Sequence, residues 1–409
     1  MRNVRHYALV TAAYWAFTLT DGALRMLVLL HFHALGFTPV ALAFLFLFYE
    51  FFGVVTNLVG GWIAAHTGLR ATLLGGLAVQ VVALVMLALL DGSWGRGVSV
   101  AYVMAAQALS GIAKDLTKMS AKSAIKVLVP EDARSSLFRW VSILTGSKNA
   151  LKGVGFFLGG ALLAWLGFRE ALLAMAAAIA LALVGSALAL PRDLGKAKSK
   201  TKVTRLWSSS PAVNRLSAAR FFLFGARDLW FVVGVPVFLA SRLAWTFVGV
   251  GGFLAAWVIG YGLVQSIAPA VIERFTRGGA PQGRAAQVLA FLLAAVMALV
   301  ALGLAANVRA ELLVIVGLGV FGVVFALSSA VHSYLILAYA DPDQVTVDVG
   351  FYYMANAAGR LVGTLLSGIA YQRGGLAACL WASMAFALAA GVLSLALPTA
   401  RRVATSSGS

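Results

Sequence analysis

The sequence predicts an all-α integral membrane protein with twelve transmembrane helices, arranged as two six-helix bundles. Of its 409 residues, 61% are hydrophobic and only 11% are charged, which is far more apolar than a soluble globular chain of that length. Apolar segments of about 20 residues, long enough to cross a bilayer, follow one another along the whole chain with short polar connections. Almost no sequence remains for a soluble domain.

The hydropathy pattern sets the approximate bounds of each span. The first span is expected to be a retained helix and not a signal peptide, because Asp21 and Arg25 interrupt its apolar run and no small-residue cleavage site follows. The predicted spans are 6–30, 40–64, 71–90, 98–119, 137–166, 170–190, 213–240, 246–270, 285–306, 311–338, 346–370 and 375–397.

A basic segment from Pro191 to Arg205 separates six spans from the next six, as in duplicated transporters. We interpret this segment as a linker and topological signal, in preference to a surface for acidic headgroups or RNA, and expect no nucleic-acid partner. The predicted domains are an N-terminal bundle over 1–190, a cytoplasmic linker over 191–212, a C-terminal bundle over 213–400 and a cytoplasmic tail over 401–409.

Lysine and arginine residues concentrate in the connections on the side that holds the central linker. By the positive-inside rule, we expect both termini to be cytoplasmic in a multi-pass protein of the cell (inner) membrane, with the lipid bilayer as its surroundings. Cys379 is the only cysteine, so neither a disulfide nor a thiolate cluster for a soft metal is expected. We expect no cofactor, no metal and a monomeric protein.

Charged residues inside the spans are the strongest functional signal. An ionised group at the bilayer centre costs about 2.5–3.5 kcal/mol on insertion scales, so a surplus of buried bases requires a functional cause. The acids within the spans are Asp21, Glu50, Asp115 and Asp228. The bases within the spans or at their edges are Arg25, Lys114, Lys118, Arg139, Lys148, Lys152, Arg215, Arg220, Arg227 and Arg360.

Depth and helical spacing select the candidate ligands among these bases. Lysines four residues apart share one helix face, and arginines near the midplane lie where repeat-built transporters bind their substrates. Arginine can bind two oxygens of a phosphate or carboxylate, and lysine adds a mobile charge. We predict substrate contacts from Arg25, Lys114, Lys118, Lys148, Lys152, Arg227, Arg360 and Asn356. The remaining bases are interpreted as topological signals or as side chains that reach the headgroups, notably Lys122, Lys126, Arg139 and Arg215.

The four acids allow two interpretations. In the structural one, Asp21 pairs with Arg25 one turn along the same helix, and Lys114 pairs with Asp115 or Asp228. In the functional one, Asp21, Glu50, Asp115 and Asp228 are proton carriers, because buried carboxylates readily change protonation state. His332 either relays protons or is simply a hydrogen-bonded histidine near a helix end.

Two short motifs resemble those of the major facilitator superfamily, as does the arrangement of six plus six spans around a basic loop. The segment from Gly61 to Arg70 is similar to the loop signature after the second span, with Ala65 replacing the usual aspartate. The glycines from Gly153 to Gly160 are similar to the antiporter signature, with Phe156 replacing its proline. These glycines are equally consistent with close helix packing alone.

Longer strings resemble a narrower family. They lie at Tyr14–Arg25, Tyr49–Gly61, Gly111–Lys122, Gly146–Lys152 and Phe224–Trp230, and they coincide with the charged spans. Together they resemble the ArsJ-type organoarsenical efflux permeases. The resemblance implies export of 1-arseno-3-phosphoglycerate, arsenate resistance, and a functional partner, glyceraldehyde-3-phosphate dehydrogenase, that makes the substrate.

The first functional hypothesis is therefore an alternating-access exporter of a small anionic organoarsenical, operating as a possible proton antiporter. The alternative keeps the fold and makes the protein a proton-coupled exporter of another organic anion, phosphate or a drug. A membrane-embedded enzyme is not expected, because no nucleophile–histidine pair, metal-spaced cluster or phosphate-binding glycine loop is present in the sequence. A scaffold without transport is disfavoured by the cost of the buried charges.

Overall fold

The computed structural model describes the backbone of residues 2–128, 134–191, 210–275, 281–306, 309–340 and 345–398. Side chains are described for these residues except 2–5, 7, 58–67, 119, 122–128, 134–146, 269, 273, 275, 337 and 345–347. Most of the predicted linker, at 192–209, and the predicted tail lie outside the described residues. The side chains of the first part of the loop motif, at 61–67, and those of Lys122, Lys126 and Arg139 also lie outside them.

Helices make up nearly all of the described backbone, as the apolar periodicity predicts. In chain order they are α1 (Arg2–Ala34), α2 (Pro39–Leu45), α3 (Leu47–Thr67), α4 (Leu69–Ala88), α5 (Arg96–Leu128), α6 (Arg134–Leu166), α7 (Phe168–Ala189), α8 (Pro211–Phe231), α9 (Gly234–Ser241), α10 (Phe247–Phe275), α11 (Gly283–Ala305), α12 (Ala310–Tyr339) and α13 (Val345–Leu395).

These helices form twelve membrane spans, which confirms the predicted fold class. α2 with α3 and α8 with α9 each make one span, and α13 makes two, because it bends at Gly374 and Gly375. Gly375 has φ 61°, a left-handed conformation that glycine adopts without steric cost. By length and apolar composition alone, nine segments of the described chain qualify as spans, and α13 is counted among them only once. The charged α1 and α5 are not among them.

The seventh span, predicted at 213–240, consists of two helices. Helix α8 ends at Phe231, and α9 begins at Gly234. Pro236 lies four residues after Val232, and a proline has no N–H to bond the carbonyl four residues earlier, where its ring also clashes. The second span is likewise interrupted, at Phe46 between α2 and α3.

Contacts divide the chain into two compact units. Unit 1 consists of Met1–Phe37, Phe44–Thr204 and Trp245–Ile259. Unit 2 consists of Thr38–Ala43, Arg205–Ala244 and Gly260–Ser409. The two units are defined by contacts between segments and not by position along the chain. The domains predicted from the sequence, 1–190, 191–212, 213–400 and 401–409, therefore stay predictions.

In unit 1, the glycines of α6 lie at close helix contacts. A methyl group built at Gly155 or Gly159 would lie 2.4 Å or 2.3 Å from a backbone carbonyl oxygen of α1. One built at Gly160 would lie 2.3 Å from the carbonyl oxygen of Phe247, at the start of α10. Helix α6 is therefore packed on two of its faces, and the packing interpretation of these glycines is confirmed.

In unit 2, α8 and the first half of α13 approach each other through glycines. A methyl group at Gly359 would lie 2.0 Å from the carbonyl oxygen of Phe221, and one at Gly363 would lie 2.7 Å from that of Gly225. This contact holds the α8 residues Arg227 and Asp228 beside Arg360 of α13.

We expect Gly359→Ala to destabilise the protein, because the added methyl group must push α13 away from α8. Overpacking of this kind costs about 1–3 kcal/mol, and should lower the apparent melting temperature of the purified protein in detergent by several degrees. Gly350→Ala, on the same helix, adds a methyl group where no atom lies within 4 Å and should leave the melting temperature unchanged or slightly raised. Equal melting temperatures for the two variants would contradict the described contact.

Candidate functional site

An ion pair between α1 and α3 is the centre of the charged residues of unit 1. The Arg25 Nη1 donates to Glu50 Oε1 at 3.0 Å, and both side chains are buried. The guanidinium carbon lies 5.2 Å from the Phe46 ring centroid and 5.7 Å from that of Tyr49. Arg25 thus pairs across helices and not with Asp21 on its own helix, as the structural interpretation had it.

Asp21 has a different partner. The Tyr49 hydroxyl donates to Asp21 Oδ1 at 2.6 Å, and the Lys114 Nζ lies 4.0 Å from the Tyr49 ring centroid. Tyr49 therefore joins the acid on α1 to the base on α5. The resulting layer brings together four of the predicted site residues, Asp21, Arg25, Glu50 and Lys114. It adds Tyr49, which the sequence analysis did not select.

A further acid of unit 1, Asp115, lies on α5. Asp115 accepts a hydrogen bond from Thr56 Oγ1 at 2.6 Å and forms an ion pair with Lys118 of its own helix. The Lys118 Nζ also donates to Asn57 Oδ1 at 3.0 Å. Asp115 is therefore held by a donor from α3 and by Lys118 of its own helix, and the described ion pair of Asp115 is with Lys118.

Lys148 and Lys152 are half-buried on α6. The Lys152 Nζ lies 5.8 Å from the Phe156 ring centroid. Beside them, the Trp15 indole nitrogen of α1 donates to Ser147 Oγ at 2.9 Å. The prediction that these two lysines share a face of one helix is consistent with their positions.

A narrow crevice opens beside the Arg25 layer. It is lined by Asp21, Leu24, Arg25, Phe46, Tyr49 and Gln107, and it is too narrow to hold a water molecule. The Arg25 Nη2 and the Gln107 Nε2 are buried and have no hydrogen-bond acceptor within the described structure. A buried donor without an acceptor costs about 1–3 kcal/mol, so an acceptor group on a ligand would stabilise both donors.

In unit 2, one carboxylate serves two arginines. Asp228 is fully buried and accepts from Arg227 Nε at 2.6 Å through Oδ1, and from Arg360 Nε at 3.1 Å through Oδ2. The two guanidinium side chains remain 16% and 18% exposed. One buried carboxylate is therefore shared by two partly exposed arginines from different helices.

Asn356 lies one turn before Arg360 on α13, on the same helix face. Its Oδ1 is buried without a hydrogen-bond donor in the described part of the chain. The Arg227 guanidinium is surrounded by aromatic rings, with its carbon 5.1 Å from the Phe224 centroid and 5.6 Å from that of Phe325. The structure thus brings Arg227, Asp228 and Arg360 together and leaves Asn356 adjacent to them.

A sequence model described as Major Facilitator Superfamily matches residues 10–335, most of the chain. This protein belongs to the Major Facilitator Superfamily. It is accordingly a membrane transporter and not an enzyme. No curated protein sequence matches it.

Solved structures of this superfamily have the same fold. One is a POT family transporter in complex with 5-aminolevulinic acid, with a TM-score of 0.72 and 14% identity over 95% of this chain and 94% of that one. Another is a POT family transporter in complex with a thioalcohol-conjugated peptide, with a TM-score of 0.69 and 16% identity over 95% and 94% of the two chains. At such identities the likeness concerns the fold alone.

Within this superfamily member, several buried polar residues were missed by sequence reasoning. Tyr49 directly precedes Glu50 on α3. Its hydrogen bond to Asp21 could not be predicted from the sequence, because that bond depends on the packing of α3 against α1. His332 is fully buried, and neither ring nitrogen has a hydrogen-bond partner among the described residues. The hydrogen-bond partner that the simpler interpretation of His332 expects is thus not among the described residues. Asp348 is a further buried acid, which the sequence analysis left out although it lies within the predicted span 346–370.

We expect Glu50→Gln to destabilise the protein, because it leaves the Arg25 charge buried without its carboxylate. Removing one partner of a buried ion pair costs about 3–5 kcal/mol. The double variant Arg25→Gln with Glu50→Gln should recover much of that loss, since no uncompensated charge remains. Thermal unfolding of the four proteins in detergent measures the coupling. Additive effects of the two substitutions would contradict the pair.

Proposed function

We propose that this transporter exports an anionic organoarsenical, 1-arseno-3-phosphoglycerate, by alternating access and thereby confers arsenate resistance. The observation that carries an anionic cargo is the crevice of unit 1, where Arg25 and Gln107 each keep a buried donor without an acceptor. An oxyanion supplies several acceptor oxygens and negative charge at once. A cation or a neutral apolar drug would leave both donors unsatisfied.

The charges of unit 2 support the same class of cargo. Arg227 and Arg360 both form ion pairs with Asp228, and part of each guanidinium side chain remains exposed. Planar guanidinium groups bind phosphate and arsenate oxygens in pairs. A three-carbon acid with a phosphate at one end and an arsenate at the other is a hard polyanion suited to such groups.

The narrower identity of the cargo rests on the family resemblance. The strings that resemble the ArsJ-type permeases include Asp21 and Arg25 on α1, Glu50 on α3, and Arg227 and Asp228 on α8. These are residues that form the buried ion pairs and hydrogen bonds described above. In this proposal, glyceraldehyde-3-phosphate dehydrogenase supplies the substrate, and the protein acts as a monomer in the inner membrane with cytoplasmic termini.

A second candidate function is proton-coupled export of another organic anion or of phosphate. It is compatible with the solved neighbours, which are POT family transporters in complex with 5-aminolevulinic acid and with a thioalcohol-conjugated peptide. Both candidates use the same basic residues. They differ in which anion is transported.

We propose that Asp21, Glu50, Asp115 and Asp228 provide any proton coupling. Asp21 is the best placed, because its hydrogen bond is to a neutral tyrosine hydroxyl and not to a permanent cation. Glu50, Asp115 and Asp228 each form an ion pair with a basic side chain.

The proposal predicts that inside-out vesicles containing the protein take up arsenic only when the dehydrogenase, glyceraldehyde 3-phosphate and arsenate are all present. Mass spectrometry of arsenic in washed vesicles measures the uptake. Omission of any one component should reduce it to the level of vesicles without the protein. Uptake of phosphate or 3-phosphoglycerate in place of the arsenical would establish the second candidate function.

A pair of glutamine variants tests the crevice in the same assay. Gln107→Leu should reduce uptake roughly tenfold or more, because a hydrogen bond to a charged group contributes about 1.5–3 kcal/mol. Gln80→Leu is the matched control, since Gln80 is equally buried in unit 1 but does not line the crevice. Equal uptake by the two variants would remove the crevice from the proposed site.

We expect Asp21→Asn to uncouple transport from the proton gradient. Asparagine can still accept the Tyr49 hydrogen bond but cannot carry a proton at neutral pH. The variant should exchange substrate across vesicle membranes without a gradient at a rate near that of the wild type. It should fail to accumulate substrate when a gradient is imposed. Undiminished accumulation by Asp21→Asn would exclude this residue as the proton carrier.

A further inference from the structure

Unit 2 contains a second buried arginine that the ion pairs above do not include. Arg220 lies on α8, seven residues before Arg227, and is 4% exposed. Its Nη1 contacts the Ser329 backbone oxygen at 3.4 Å and Oγ at 3.3 Å. Its Nε has no acceptor, and no carboxylate of the described residues forms an ion pair with it.

Two aromatic rings compensate this charge only in part. The Arg220 guanidinium carbon lies 3.9 Å from the Phe224 ring centroid and 5.1 Å from that of Tyr352. A cation–π contact offsets only part of the cost of burying an ion. Long contacts to one serine do not supply the remainder.

The surroundings of Arg220 are rich in donors and poor in acceptors. The Tyr261 hydroxyl and the Gln265 Nε2 both donate toward Ser329 Oγ, at 3.3 Å and 3.4 Å. His332 lies one turn after Ser329 on α12, interacts electrostatically with Arg220, and has no hydrogen-bond partner in the described structure. Several donors thus converge on a single hydroxyl beside an uncompensated cation, which is the arrangement that an oxyanion would complete.

A shared aromatic ring links this cluster to the Asp228 cluster. The guanidinium carbons of Arg220 and Arg227 lie 3.9 Å and 5.1 Å from the same Phe224 centroid. They therefore cannot be farther apart than the sum of those distances, about 9 Å. A short organic molecule with an anionic group at each end can contact both when each group lies at charge-assisted hydrogen-bond distance, about 2.7–2.9 Å, from its arginine.

We propose that Arg220, with Ser329, Tyr261, Gln265 and His332, is a second anion subsite, which binds the far end of a two-ended anionic substrate. The first end is bound by Arg227 and Arg360. This inference rests on the proposed anionic cargo and narrows it to short acids that carry two separated anionic groups. Such a site selects for the second charge, because a single-ended anion leaves Arg220 uncompensated.

Equilibrium binding to the full-length protein in lipid nanodiscs tests the subsite, with two probes of the same carbon skeleton length. 3-Phosphoglycerate carries a phosphate and a carboxylate, whereas glycerol 3-phosphate carries a phosphate and a neutral hydroxyl. The wild type should bind 3-phosphoglycerate about tenfold more tightly or better. Arg220→Gln should lose this preference and keep the wild-type affinity for glycerol 3-phosphate. Arg220→Lys should retain part of the preference.

Arg215→Gln is the matched control, since Arg215 is an exposed arginine of the same helix and its loss should change neither affinity. Retention of the full preference by Arg220→Gln, or equal binding of both probes by the wild type, would overturn the subsite. Loss of both probes in Arg220→Gln and Arg220→Lys would also overturn it, because Arg220 would then support the whole unit. Failure of arsenical uptake in vesicles, with the probe preference intact, would reject the arsenical cargo and leave the subsite standing.

Discussion

The ion pairs of Asp228 determine much of the structure of unit 2. Two arginines from different helices enter the interior because one carboxylate lies between them, and the glycines at 359 and 363 let the helix backbones come close enough for that contact. Unit 1 meets the same constraint with more acids, since Glu50, Asp21 and Asp115 each satisfy a donor from another helix. Compensation of buried charge thus fixes which helices must be neighbours.

The compensation is incomplete, and the uncompensated groups are informative. In unit 1 they include buried donors on Arg25 and Gln107, at the wall of a crevice. In unit 2 they include the Arg220 guanidinium, whose Nε has no acceptor among the described residues. These groups favour negative charge and acceptor oxygens. A protein of the Major Facilitator Superfamily with such an interior is suited to an anion that loses its water on binding.

The sequence predicted the spans and the importance of the intramembrane charges, because hydropathy and the cost of burying charge are local properties. It did not predict the pairing. Spacing along one helix suggested Asp21 with Arg25, but the lower-energy arrangement uses Glu50 and Tyr49 of α3, which only the packing of α1 on α3 brings within reach. The break before α9 was predictable from Pro236. The lack of a carboxylate partner for Arg220 among the described residues was not predictable, since it depends on which side chains of α12 face Arg220.

The contact at Gly359 also bears on how strictly the protein selects its cargo. Arg360 follows this glycine directly, so the backbone of Arg360 lies in close contact with α8. The spacing between the two guanidinium groups thereby depends on main-chain geometry and not on flexible side chains alone. Discrimination among similar metabolites would then come from rigidity, and broadening the range of cargoes by mutation would require loosening this one helix contact.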